Sequence, residues 1–113
     1  MDNLEQNIYF YVINSVSFLK TLKKENCENE LTAKFANYIQ VINSVYYDIA
    51  DLKEKTELIK VIDKCIDLTD KCHKLLQPIF FDNKKVINEQ ATLLIEASEI
   101  KKQLINKKAN IIK

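Results

Sequence analysis

The sequence of 113 residues predicts an all-α, up-down-up-down antiparallel four-helix bundle in a single domain, 1–113, and three observations predict it. The chain has no glycine and one proline, Pro78. Hairpins draw on Gly, Pro, Asn and Asp for their turns, and only the last two are available, so a strand-rich fold is excluded. Four segments repeat apolar side chains in alternating steps of four and three, the pattern of helices packed nearly parallel. The breaks between them are short, which makes successive helices antiparallel neighbours.

Helix one is predicted over about 3–24, with Leu4, Ile8, Tyr11, Ser15, Phe18 and Leu22 facing inward. Glu25–Asn29 forms the first break, and Asn29 can cap the next helix. Helix two, about 30–53, turns Leu31, Phe35, Tyr38, Ile42, Val45, Ile49 and Leu52 inward. Lys53–Thr56 contains no breaker residue. The apolar register slips there and Thr56 can cap, so a turn is expected, with one long continuous helix as the competing reading. Helix three, about 57–80, carries Leu58, Ile62, Cys65, Thr69, Cys72, Leu76 and Ile79. Pro78 marks the approach to its end. Asp82 or Asn83 caps helix four, about 84–109, whose inward set is Val86, Gln90, Leu93, Ala97, Ile100, Leu104, Lys107 and Ile111. At about 1.5 Å per residue these helices are about 33–39 Å long. VINSV occurs at Val12–Val16 and again at Val41–Val45, but the similarity stops on both sides, as chance in a biased composition would have it.

Seventeen basic residues, all Lys, against sixteen acidic ones leave a net charge of +1, so no global field steers the chain to nucleic acid or membrane. Three cysteines without framework spacing point to a reducing cytoplasm. Asp2 and Glu5 stand where a signal peptide needs a basic segment, and no apolar run has the 18 or more residues of a membrane span. The expected setting is cytoplasmic, without a membrane.

Little in the chain assembles chemistry. Cys65 and Cys72 lie about 10.5 Å apart along a helix, too far for one tetrahedral ion, and zinc sites use close pairs. His73 sits at an apolar edge. HEPN-type ribonucleases need an Arg that is absent. The carboxylate pairs Asp48–Asp51 and Asp67–Asp70 point away from their apolar stripes, so with Glu96–Glu99 they cannot converge on Mg²⁺ as in the all-α pyrophosphohydrolases. Di-iron bundles require an E-x-x-H motif that is missing. No enzyme, metal, cofactor or small-molecule substrate is expected.

Surface is the remaining signal. Gln6–Leu19 carries no charge, and beside its inward stripe it presents a second one of Tyr9, Ile13 and Val16. The apolar residues of helix three, including Val61, Leu68 and Leu75, span about 200° at 100° per residue, more than a two-partner seam uses. These six residues are the expected oligomer or partner interface. The outer face of helix two (Asn37, Gln40, Asn43, Ser44, Tyr47, Asp48, Asp51) reads equally as a contact surface or a solvated face. Asp67–Lys71 and Asp70–Lys74 have the i,i+4 spacing of helix ion pairs. Residues 100–113 hold Lys101, Lys102, Lys107, Lys108 and Lys113 without an acid, and an antiparallel bundle sets them near Lys53, Lys55 and Lys60. Lys20, Lys23, Lys24, Lys84 and Lys85 meet at the other end, and nearby acids dilute both clusters.

The stretch from Asp48 through Lys108 resembles the Avd accessory proteins of diversity-generating retroelements and the related four-helix bundles encoded in ribosomal RNA intervening sequences. The features that carry the resemblance are the turn Ile49-Ala50-Asp51-Leu52-Lys53-Glu54-Lys55, a Leu/Ile-rich third helix, and a last helix with Gln90 and Ile95-Glu96-Ala97-Ser98-Glu99-Ile100-Lys101-Lys102-Gln103-Leu104. The family's Arg-rich third helix is here Lys71-Cys72-His73-Lys74, and its closing Gly-Gly-Trp is Leu104-Ile105-Asn106-Lys107. The resemblance implies a non-catalytic homo-oligomer, a pentameric ring, that binds a reverse transcriptase and its RNA. Lys101, Lys102, Lys107, Lys108 and Lys113 are then the expected phosphate contacts. The rival reading is a small helical protein–protein interaction module, such as a phage or defence-system regulator, with no nucleic-acid binding.

Overall fold

A computed structural model describes residues 3–51 and 54–112, with side chains for 4–45 and 54–112. It is an all-α, up-down-up-down bundle of four helices: α1 (Asn3–Lys24), α2 (Glu30–Asp51), α3 (Lys55–Leu76) and α4 (Lys84–Ile112). Each helix packs against two neighbours, α1 on α2 and α4, α3 on α2 and α4. Glu54 has an extended backbone (φ −75°, ψ 127°), so α2 and α3 are separate helices rather than one rod. Lys53, in the expected break, and Lys113 lie outside the described residues.

The helix ends show why a chain without glycine turns sharply. Asn26 takes the left-handed conformation (φ 55°) just past α1. The amides of Asn26 and Cys27 reach back to the carbonyls of Lys23 and Leu22, the Schellman closure normally built on glycine. Asn is the non-glycine residue that best tolerates this region. Asn29 then caps α2 as predicted: its Oδ1 accepts the Thr32 amide at 2.9 Å, while Thr32 Oγ1 accepts the Asn29 amide at 2.9 Å. Asn83 caps α4 through Oδ1 and the Val86 amide, 3.1 Å. Its Nδ2 donates to Glu25, tying two loops at one end of the bundle.

The start of α3 departs from expectation. The helix begins at Lys55, so Thr56 lies inside its first turn, and Glu54 at the cap makes no side-chain bond. Its end departs too, at Leu76 rather than near residue 80. Pro78 has no N–H to continue the ladder, the Ile79 amide turns back to Leu76 O at 3.2 Å, and a neighbouring helix ties down the exit. Gln90 Nε2, buried in α4, donates to Leu76 O at 2.6 Å and Ile79 O at 3.0 Å.

The core runs the length of the bundle, from Leu4 and Leu104 to Phe18, Phe35 and Phe81. Phe81, expected in the break, is buried and plugs that end, its ring edge-on to Phe18 at 6.1 Å. Among the described side chains of α2 the inward set is Thr32, Phe35, Ile39, Ile42 and Val45, while those of Ile49 and Leu52, also expected inward, lie outside the described ones. Leu31 is exposed and Tyr38 half-buried, because a helix seated between two neighbours buries flanking positions as well as a strict 4-3 seam.

Candidate interaction surfaces

Among the described residues the outward face of α1 brings four exposed apolar side chains together. Tyr9, Phe10, Ile13 and Val16 are 41–47% exposed, and the Tyr9 and Phe10 rings touch at 5.7 Å between centroids. Gln6 and Ser17 complete this face, and Lys20 is its first charge. Tyr9, Ile13 and Val16 belong to the set drawn from sequence; Phe10 was missed because it stands at the border of both stripes on the helical projection.

On α3 one member of that set, Leu68, drops out. Leu68 is buried in the bundle interior, and Val61 and Leu75 are half-buried against it. The 200° arc is filled by this chain's own α2 and α4, which flank α3 on two sides. Elsewhere Phe80 in the α3–α4 loop is 87% exposed and Ile95 on α4 is 67% exposed. On α2, Asn37, Gln40, Asn43 and Ser44 are exposed, while the side chains of Tyr47, Asp48 and Asp51 lie outside the described ones.

The two seams of α4 differ in chemistry. Toward α3 it is closed by ion pairs one heptad apart. Lys101 Nζ meets Asp70 Oδ1 at 2.8 Å, and Lys108 Nζ meets Asp63 Oδ1 at 2.7 Å. Asp70 also holds Lys74 at 2.9 Å, and Asp67 holds Lys71 at 3.0 Å, the two i,i+4 pairs predicted from spacing. Between its two lysines the Asp70 carboxyl drops to about 2, chiefly through the bond from Lys101. Of the expected phosphate contacts, Lys101 and Lys108 are therefore engaged by α3. Lys102 lies 4.0 Å from Glu99, Lys107 is half-buried, and Lys113 is outside the described residues.

Toward α1 the seam is a ladder of neutral groups from α1 against one amide and two acids of α4. Asn7 donates to Gln103 at 2.9 Å, Asn14 to Glu96 at 2.9 Å and Thr21 to Glu89 at 3.1 Å. Each step of seven up α1 is matched by seven down α4, which fixes the antiparallel register. Glu96 Oε1 and Glu89 Oε2 are buried without a hydrogen-bond partner. Burial pushes the Glu96 carboxyl up, partly offset by the Asn14 bond. Along this seam run two adjoining recesses that meet at Asn14. One, of about 400 Å³, lies between Phe10, Ile95, Glu96 and Glu99. The other, of about 280 Å³, lies between Ser17, Glu89 and Thr92.

Three polar groups sit inside the core itself. Tyr11 and Ser15 are buried with unpartnered hydroxyls, and Cys72 faces Tyr11. Burial raises the Cys72 thiol to about 12, so it stays protonated and a poor metal ligand. No cluster of metal-binding side chains occurs among the described residues, and no described helix is long and apolar enough to cross a membrane.

Fold and surfaces together define a four-helix bundle whose distinguishing features lie on its outer faces. No family model matches the chain, and no curated protein or solved structure matches it.

Proposed function

We propose that this chain is a non-catalytic, homo-oligomeric bundle that works by docking proteins, and that copies join through the outward face of α1. The observation that carries the reading is the charge-free exposed strip of Tyr9, Phe10, Ile13 and Val16. A second copy suits it. No charge between residues 6 and 19 opposes self-association, and the strip is bulky at one end and small at the other. With Ile13 on a two-fold axis, Tyr9 and Phe10 of one copy face Ser17 and Val16 of the other, an isologous large-to-small fit. A ring of five, which the resemblance to Avd proteins implies, would use the same surplus and differ in mass. The inert Cys72 thiol and the lone, half-buried His73 support a non-catalytic role. Three free cysteines fit a cytoplasmic setting.

The retroelement reading adds a reverse transcriptase and RNA as partners. Its support is the acid-free stretch 100–113. Its phosphate contacts must compete with Asp63 and Asp70 for Lys108 and Lys101, so protein docking is the stronger half of the proposal.

Light scattering on the eluting peak tests assembly. A multiple of 13.2 kDa is expected for the wild type, and monomer for Ile13→Glu with helicity retained; a wild-type monomer at high concentration overturns the reading. RNA binding that weakens steeply with salt and falls for Lys102→Glu/Lys107→Glu is the signature of the nucleic-acid arm.

A further inference from the structure

Helix α4 is closed toward α3 by two ion pairs a heptad apart, yet toward α1 its acids at the same spacing meet only neutral groups. Glu89 and Glu96 lie in the two adjoining recesses, each with one buried carboxylate oxygen unpartnered. Both side chains are half-buried, and burying the unpartnered oxygen of an anion without a counter-charge carries a cost; no cation among the described residues reaches either one. Ser17 and Thr92 line the stretch between them, and Phe10 with the exposed Ile95 walls the recess of Glu96, Phe10 on the side away from Glu89.

We propose that this α1–α4 groove receives an amphipathic helix of a partner protein that presents two cationic side chains seven residues apart, one to Glu89 and one to Glu96, with apolar residues beside and a turn beyond the second on Ile95 and Phe10. The spacing is dictated by the ladder: one heptad is about 10.5 Å on both helices. Long Lys or Arg stems cover the apolar wall while their heads reach the buried oxygens. The seam to α3, where Lys101 and Lys108 meet Asp70 and Asp63, is the same arrangement made within the chain. This inference rests on the protein-docking reading and names the partner's chemistry; Phe10 and Ser17 belong to both this groove and the α1 strip, so a partner helix here competes with a second copy there.

The probe is a labelled helical peptide with Lys at i and i+7 and Leu a turn outside each, followed by fluorescence anisotropy on the full chain. Saturable binding is expected, weakened about tenfold or more in Glu89→Gln/Glu96→Gln, the scale of losing a charge-assisted bond. A peptide with Glu in place of Lys should not bind. Affinity should also fall as acidification protonates Glu96; the groups facing it from the packed helices are Asn14 and Tyr11, with Glu99 on its own helix. Equal affinity for the wild type and the Gln pair, or no saturable binding, overturns the proposal. So does a change of oligomeric mass in the Gln pair without peptide binding, which assigns the groove to a second copy. Mass is read on the same samples: a wild-type monomer that still binds the peptide removes the assembly reading and leaves the groove standing.

Discussion

At the residue scale, the decisive side chains are polar ones that let an apolar pattern close. Asn26 makes the first turn without glycine, and its left-handed backbone is tolerable for Asn but not for residues with a plain Cβ. Asn26→Ala should lower stability by about 1 kcal/mol and Asn26→Gly should hold or raise it, read as shifts in the urea midpoint at unchanged slope. Gln90 is the stronger case. Its amide donates to the carbonyls of Leu76 and Ile79 where the chain leaves α3, and a buried group stripped of its partner costs about 1–3 kcal/mol. Gln90→Leu should therefore destabilise by about 2–3 kcal/mol although Leu suits a core position in every other respect. Thermal melts of Gln90→Leu beside Leu93→Ala would show it, since a purely apolar view ranks only the second as damaging.

Helices meet along seams, and the two seams of α4 respond to pH with opposite sign. Asp70 has a depressed carboxyl, so its contribution is present above the ordinary carboxylate value of 3.8 and is lost as pH falls toward about 2. Solvent access and screening limit it to about 0.5–1 kcal/mol. Glu96 has a raised carboxyl, favouring the protonated form in the folded state; stability at this site falls as pH rises from the ordinary carboxylate value through the raised one. Asp70→Asn should then lower the melting temperature at pH 7 and flatten the acid limb. Glu96→Gln should raise it at pH 7 and change little at pH 3. Melts across pH 2.5–7 separate the two, and a Glu96→Gln chain less stable at neutral pH would refute the desolvation account.

On the scale of the whole molecule, the bundle is an elongated body of 46 × 24 × 20 Å with one unusually apolar flank. The register carries the end of α4 past the start of α1 while it still lies beside α3, where Lys108 reaches Asp63. An exposed strip of this kind raises the tendency to associate, so its effect is on concentration dependence rather than fold. Tyr9→Ser/Val16→Ser should keep full helicity and the wild-type urea slope. It should lose the rise of melting temperature with protein concentration that an oligomer shows. Sedimentation velocity over a hundredfold concentration range is the direct check.

Much of this was legible in the chain because it depends on local rules. A missing glycine, a 4-3 apolar rhythm and short breaks point to four antiparallel helices, and Asn29 marks its own cap; the structure chose Asn83 over Asp82 and a break at Glu54 over one long helix. The free face at Tyr9, Ile13 and Val16 was legible too, since a charge-free helix has more greasy surface than one core accepts. What periodicity left open is which neighbour covers which flank. The breadth of α3 read as surplus until α2 and α4 were seen on either side of it, and Leu68 went with them into the interior. Lysines that look available in a string of letters are held by aspartates 31 and 45 residues away in α3, while Glu89 and Glu96 are left facing neutral groups. Composition and spacing determine elements because helix formation is governed within a few residues. Charge pairing and exposure belong to the tertiary structure, because they are set by whichever side chains another helix brings alongside.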